Sequence, residues 1–384
     1  MSQNKQTILF LASWYPTPQN KNHGIFIRNH ALSLSKYMPV IVVYAYSTSL
    51  TEDFRIFKNK QGNFEEWLLE FPKSTMPVFS FFIKFFRFKK AYKLLLQELI
   101  KEKVNVKAIQ LNVIFPAALA LSIFKDHFKV PYTIVEHWSG YLPEDNNYKS
   151  GIVKNATKKA IHSAKKIFYV SEKQKQAMLS HGLEGNYELL YNVVDTDLFK
   201  ENTSNKRQRP LLLHVSSLVE REKNISGTLR VIQKLQKTAY DFDVLIVGGN
   251  EQSVSYYKNE ANNLKLKNIN FVGEKTPTEV ATYMQQAHAL LLFSNYEGMP
   301  VVVLEALASS LPVFVSKVGQ LPDLITADLG ILIDVKNESE LEKQLALFLE
   351  GKLKFNSKKM VEFISKNASY EVVGKKLADL YLAI

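Results

Sequence analysis

The feature that most constrains the fold is a repeated grammar: a short apolar run, a turn, a helix-spaced segment, and another short apolar run. The runs Thr7–Leu11 and Val40–Tyr44 flank Ile27, Ala31, Leu34 and Met38, which recur at helical spacing. Val106–Leu111, a helix from about Pro116, and the runs Tyr132–Val135 and Lys166–Val170 continue the pattern. Strands this short and apolar, alternating with helices, predict a parallel sheet covered on both faces. A polar, basic stretch, KENTSNKRQR over Lys200–Arg209, then has the composition of an exposed linker. After it the grammar restarts. Leu211–Val215 is a strand, Ile225–Leu235 is helical, and Asp243–Val247 is a strand ending in Gly248-Gly249. Asn270–Val272, Ala289–Phe293 and Pro312–Val315 are further short apolar runs. The expectation is an α/β chain of two Rossmann-like, doubly wound domains, over 1–200 and 211–365. A linker at 201–210 joins them, and a C-terminal helix over 366–384 is expected to pack back toward the first domain. Two such halves facing each other would set a cleft at the carboxyl ends of both sheets, where ligands bind in open α/β folds.

The length of 384 residues suits two cores rather than one. Hydrophobic content of 46% with 22% charged residues is the balance of a globular chain, not a disordered one. No run of 18 or more uncharged apolar residues occurs, so no transmembrane helix is expected. The apolar run Ile8–Ala12 is too short for the core of a signal peptide. There is no cysteine, which excludes disulfides, thiolate metal sites and a cysteine nucleophile, and is compatible with a reducing cytoplasm. The formal charge of +12 suits nucleic acid, an anionic membrane surface or a phosphorylated ligand. No basic stripe, zinc-finger spacing or RNA-recognition aromatic motif is present, so no nucleic-acid partner is expected.

The most informative stretch is Ser294–Pro322, SNYEGMPVVVLEALASSLPVFVSKVGQLP. An apolar strand runs into polar Ser294-Asn295, and Gly298 and Pro300 shape a turn. Pro300 suits the start of a helix, predicted over Val301–Ser309 with Glu305 one turn inside. Backbone N–H groups at Met299, Val301 and Val302 would then be free, and a helix N-terminus of this kind suits a diphosphate. Glu297 in the loop could accept hydrogen bonds from sugar hydroxyls, and Glu305 from a ribose diol. Spacing alone leaves open the plainer reading, in which two acids near a helix start offset its dipole.

This segment resembles the signature of glycosyltransferase family 4, retaining enzymes of the GT-B fold. The family's E-x7-E pattern matches Glu297 and Glu305, and Ala306-Leu307-Ala308, Leu311-Pro312-Val313, Val318-Gly319 and Leu321-Pro322 fit its continuation. The resemblance runs over most of the chain and is strongest in the C-terminal half.

Further positions take meaning from it. Leu213–Asn224 reads LHVSSLVEREKN, a strand followed by a basic loop whose cations would neutralise a leaving nucleoside diphosphate. Lys223-Asn224 matches the family's Lys-Asn pair, whereas the family's arginine is here Ser217, with Arg221 a candidate substitute for the missing charge. In WYPTPQNKNHGIF, Trp14–Phe26, Gly24 matches a family glycine that lets backbone approach the donor phosphate or acceptor, the usual Gly-Gly being here His23-Gly24. In VEHWSGY, Val135–Tyr141, the resemblance places His137 beside the transferred sugar, with Trp138 either stacking on a ring or packing. Gly248-Gly249 resembles the family's turn near the nucleobase, and Asn192-Val193-Val194-Asp195 resembles a structural turn before the linker.

Met76–Leu96, MPVFSFFIKFFRFKKAYKLLL, interleaves six phenylalanines with Lys84, Arg87, Lys89, Lys90 and Lys93. That composition suits a helix in a membrane interface, the alternative being a core helix with snorkelling lysines. An anionic membrane is therefore an expected contact, with a cytoplasmic or peripheral location and a glycan or lipid-linked acceptor. No metal or other cofactor is expected: Asp195-Thr196-Asp197 has the letters of a metal motif but sits in the turn after Asn192. The resemblance implies a retaining transferase moving a sugar from a nucleoside-diphosphate sugar, in cell-surface polysaccharide synthesis. Glu297, His137 and Lys223 are the implied catalytic residues. The donor would be bound by Gly24, Ser217, Arg221, Lys223, Gly248, Gly249, Gly298, Met299, Pro300, Val301, Val302 and Glu305. Two alternatives stand beside it: a glycoside hydrolase using Glu297 and Glu305 as paired carboxylates, and a nucleotide-sugar-binding protein without turnover, which the missing arginine at 217 keeps open.

Overall fold

Alternating apolar strands and amphipathic helices close into two sheets in the computed structural model, which describes residues 5–73, 80–201, 207–238 and 240–384. The chain divides into one unit of residues 1–193 with 370–384, and a second of 194–369.

In the first unit the elements run β1 (Thr7–Ala12), α1 (Ile25–Ser35), β2 (Val40–Thr48), β3 (Arg55–Gln61), β4 (Phe64–Pro72), α2 (Ser80–Lys101), β5 (Val106–Asn112), α3 (Ala118–Phe128) and β6 (Tyr132–Glu136). They continue with α4 (Gly151–His162), β7 (Ile167–Tyr169), α5 (Glu172–Ser180) and β8 (Tyr187–Leu189). The sheet order is β3-β4-β2-β1-β5-β6-β7-β8. Every pairing is parallel except that of β3 with β4. The hairpin of β3 and β4 is absent from the sequence-level expectation. Its outer strand is almost wholly exposed, so it lacks the apolar run by which the buried strands were recognised. Gly62, at φ +61, makes the turn between the two strands.

The second unit runs β9 (Leu211–Val215), α6 (Glu220–Lys223), α7 (Ile225–Gln236), β10 (Asp243–Val247), α8 (Glu251–Asn263), β11 (Ile269–Phe271), α9 (Pro277–Gln286) and β12 (Ala289–Leu292). After these come α10 (Val301–Ala308), β13 (Val313–Ser316), α11 (Leu321–Leu324), β14 (Gly330–Ile333), α12 (Glu338–Leu349) and α13 (Ser357–Asn367). The order β11-β10-β9-β12-β13-β14 is parallel throughout. Strand order reverses between β9 and β12, and the loops after those two strands flank the point where such sheets bind ligands.

The last helix, α14 (Tyr370–Ala383), belongs to the first unit. Val373, Leu377, Ala378 and Tyr381 are buried with Ile27, Ala31 and Leu34 of α1 on one face of the sheet. Gly374 permits the approach, since a Cβ there would lie 2.2 Å from the Ser33 carbonyl oxygen. The Tyr381 hydroxyl reaches buried Gln110 and Thr133, both at 2.7 Å. The opposite face carries α2 to α5 over a second core.

The unit boundary departs from the expected linker at 201–210. The chain enters the second unit at Val194, whose N–H bonds the Ala368 carbonyl at 2.8 Å, and Phe199 is already buried there. Arg209 forms ion pairs with Asp241 and Asp243, so the basic stretch is anchored on its far side; residues 202–206 lie outside the described set.

Among the described residues no helix is long and apolar enough to cross a membrane. Of the aromatic–basic segment, residues 76–79 lie outside the described set. Farther along α2, Ala91, Tyr92, Leu95 and Leu99 are buried in the core, which corrects the reading of the whole stretch as a surface element. Phe88 packs against that core, whereas Phe86 is 68% exposed between exposed Lys84 and Lys90.

Candidate active site

In the second unit, the loops after β9 and β12 are joined by hydrogen bonds. Glu297 lies in the loop after β12, 8% exposed, and its Oε1 accepts from Lys223 Nζ and from Ser294 Oγ, both at 2.7 Å. The Asn295 N–H donates to the Glu222 carbonyl at 2.7 Å, and its Nδ2 donates to the Arg221 carbonyl at 3.0 Å. The Arg221 guanidinium lies 5.8 Å from the centre of the Tyr296 ring and is exposed. Ser217 is exposed at the turn after β9.

Glycines set how closely these loops approach their neighbours. Gly248, at φ +104, presses on Ser216: a Cβ would sit 1.9 Å from its carbonyl oxygen. Gly249 packs against Leu218 in the same way. Gly298 is met from the other side by the turn after β13, where Gln320 donates its N–H to the Gly298 carbonyl at 2.9 Å.

Pro300 occupies the cap position of α10 rather than its first turn, with extended backbone and no side-chain cap. The helix therefore begins with N–H groups that have no partner within it, at half-exposed Val301 and Val302. Met299 is buried. Glu305 is half-buried, and burial pushes its carboxyl up to about 7. It therefore carries a mixture of protonated and ionised forms at neutral pH, which its assignment as a pure acceptor did not anticipate.

In the first unit, Gly24 caps α1 at φ 68, and a Cβ there would lie 2.6 Å from the Trp14 carbonyl carbon. Two residues on, the Phe26 ring centre lies 4.2 Å from that of His137, in the segment after β6. Burial, with a smaller effect of His30, holds His137 well below the usual imidazole range, so it is neutral. Its Nε2 is buried without a hydrogen-bond partner among the described residues. Trp138 packs against Tyr141 at 5.2 Å, which favours the packing reading of that residue.

Asp195 spends its Oδ1 on the N–H groups of Asp197 and Leu198, at 3.1 and 3.2 Å, capping a turn. Among the described residues no group of three or more His, Asp or Glu side chains is arranged to hold a metal ion.

The family model for glycosyl transferases group 1 matches residues 195–369, and that for Glycosyltransferase Family 4 matches residues 30–198. A glycosyltransferase of Methanocaldococcus jannaschii is 26% identical over 275 residues, covering 70% of this chain and 73% of its own. A candidate teichuronic acid biosynthesis glycosyltransferase of Bacillus subtilis is 26% identical over 251 residues, covering 62% of this chain and 60% of its own. The crystal structure of HepE from Anabaena in complex with UDP superposes with a TM-score of 0.74 at 16% identity, covering 99% of this chain and 100% of that one. The chain is a GT-B glycosyltransferase of the family 4 type.

Membership makes the protein a transferase rather than a hydrolase. In this glycosyltransferase the loops after β9 and β12 bring together Lys223 and Glu297, with Ser217 and Arg221 exposed beside them. Gly298 to Val302 lead into α10, and Gly24 and His137 belong to the first unit. Sequence reasoning missed two residues that shape these loops. Glu136 is buried and accepts from the N–H groups of Ile114, His137 and Trp138 and from the Tyr141 hydroxyl, at 2.8 to 3.1 Å. An acid closing an apolar strand immediately before His137 was the available signal. His214, inside β9, is the other.

Proposed function

We propose that this glycosyltransferase is a retaining enzyme that moves a sugar from a nucleoside-diphosphate sugar to a glycan or lipid-linked acceptor in cell-surface polysaccharide synthesis, without a metal. The observation that carries the donor assignment is the joined pair of loops at the strand-order reversal, with Lys223 and Glu297 beside the uncapped start of α10. The UDP named with the Anabaena structure and the teichuronic acid role named for the Bacillus relative point the same way.

In this reading Lys223 meets the diphosphate. An ammonium has three donors, and one reaches Glu297, so Lys223 can hold the carboxylate and a phosphate oxygen together. The N–H groups at the start of α10 take further phosphate oxygens. Glu297 accepts from the sugar hydroxyls, Glu305 from the ribose diol, and neutral His137 orients the sugar. The bond from the anomeric carbon to the diphosphate breaks as the acceptor oxygen bonds on the same face, and the acceptor proton passes to the departing phosphate.

Thermal unfolding against uridine, guanosine and adenosine diphosphates tests the donor reading. One nucleotide at a hundred times its dissociation constant should add about 2.7 kcal/mol of stability. Only ionised Glu305 accepts two hydroxyl protons, so binding should tighten as pH rises through about 7. The ligand-free protein responds oppositely. Its Glu305 binds protons more tightly than the ordinary carboxyl at 4.5, so that stabilisation is present below about 4.5 and is lost as pH rises through about 7. Glu305→Ala should remove the pH dependence of binding. No shift with any nucleotide would overturn the donor reading.

The acceptor reading rests on the first described turns of α2, where exposed Phe86 lies between Lys84 and Lys90. Flotation with vesicles containing phosphatidylglycerol should recover the wild type, and recover less of Phe86→Ser. Recovery of neither would remove the membrane contact, and equal recovery of both would remove Phe86 from it.

A further inference from the structure

We propose that His214 and Ser216 are positioning residues for donor binding, holding the turn after β9 in the form that presents Ser217 and Lys223 to the diphosphate. The inference rests on the donor reading above. His214 is 1% exposed in a central strand, between Leu213 and Val215. Packing alone would place an apolar residue there, because burying an imidazole costs free energy unless its nitrogens are used.

Both nitrogens are used. Nδ1 lies 2.9 Å from the Leu291 carbonyl oxygen, which can only accept, so Nδ1 carries the proton. Nε2 is then an acceptor, and the Ser216 hydroxyl at 2.8 Å donates to it. With its proton committed, Ser216 Oγ accepts the Leu218 N–H at 3.1 Å. The relay runs from the β12 backbone through an imidazole and a hydroxyl to one backbone amide in the turn. Burial lowers the imidazole to about 4, so the tautomer persists across the neutral range.

The amide so held belongs to a strained residue. Leu218 has φ +56, a conformation that non-glycine side chains rarely adopt. Strain of this kind persists only where the surroundings over-determine it. Here Gly248 pins the Ser216 carbonyl, Gly249 packs on the Leu218 side chain, and the relay fixes the Leu218 amide. Exposed Ser217 is therefore suspended between two fixed residues, and the chain passes from it into α6, which carries Lys223.

Calorimetric titration with UDP and GDP tests the proposal, alongside unfolding temperatures without ligand. Groups that act by orienting ligand-binding groups typically cost roughly 10- to 100-fold in affinity when removed. Ser216→Ala and His214→Leu should weaken the preferred nucleotide by that amount at a temperature where both remain folded. Ser216→Thr keeps the hydroxyl, and His214→Gln keeps a donor for Leu291 and an acceptor for Ser216. Both should stay within about 3-fold of wild type, the order of a single net hydrogen bond or less. Lys223→Ala is the reference loss. If Ser216→Ala lowers the unfolding temperature yet binds like wild type while Lys223→Ala does not, the relay is structural only and the proposal fails. If the wild type binds none of the uridine, guanosine and adenosine diphosphates, the donor reading fails first and the inference goes with it.

Discussion

Glu297→Ala should abolish most sugar transfer and destabilise the second unit, and the two losses should separate in Glu297→Gln. The carboxylate, 8% exposed, accepts from Lys223, 15% exposed, and from Ser294. Removing one member of so enclosed a pair leaves the ammonium short of its acceptor, at a cost of about 3 kcal/mol. Both donors reach the same oxygen, Oε1, which glutamine keeps as a carbonyl, so the hydrogen bonds persist while the charge is lost, and about half of that penalty is expected. The effect on transfer has another origin. A group that meets charge developing at the reacting sugar contributes on the order of 100- to 1,000-fold to the rate. Alanine should therefore lose about that factor in kcat, beyond anything unfolding explains. Initial rates measured well below the unfolding transition, with UDP affinity in parallel, make the check. Full transfer by Glu297→Ala would remove this residue from the mechanism.

Gly319→Ala should be strongly damaging for a single added methyl. Gly319 has φ +54, and a Cβ there would stand 2.1 Å from the Gly298 carbonyl oxygen and 2.5 Å from that of Glu297. The conformation costs an alanine about 1 kcal/mol. Relief of the overlap, which is with backbone, adds roughly 1–3 kcal/mol more. The backbone that must give way is the loop carrying Glu297, so the strain should be felt as lost nucleotide affinity as well as lost stability. Gly351→Ala is the control, having a positive φ of 70 but open space around its Cβ. Gly351→Ala should lower stability by the conformational cost alone and leave UDP or GDP binding unchanged. Equal behaviour of the two variants would show that the Gly298 contact carries nothing.

How much of this was legible beforehand differs between elements for physical reasons. The strands β1, β2, β5, β6, β9, β10, β12 and β13 are largely buried, so each is a short apolar run that stands out from its flanks. Strand β3 has no buried residue, and its partner β4 carries buried Glu66 and Glu70 among its apolar residues, so neither shows that signal. The positions of Glu297 and Glu305 were readable because their spacing across a loop and a helix start is a local property. The Lys223–Glu297 bond was not, because it joins residues 74 apart in the chain that only the parallel pairing of β9 with β12 brings together. The raised carboxyl of Glu305 and the relay through His214 depend on burial, which a string of letters does not carry. The boundary at Val194 was misplaced because polarity marks where a chain is exposed, not where its contacts change allegiance.

The position of α14 bears on how the protein is made. Residues 370–384 lie beyond the whole of the second unit in sequence, yet Leu377 and Tyr381 complete the core against α1 in the first. On the ribosome, domains generally fold in the order in which they emerge. Here that order inverts. The later domain can complete its core while the earlier one still shows water the apolar face of α1, with the Gln110 Oε1 and the Thr133 hydroxyl still lacking Tyr381. Nascent chains stalled just short of residue 370 would hold a finished second unit and an unfinished first one. That unfinished surface is where a holding chaperone would engage the chain.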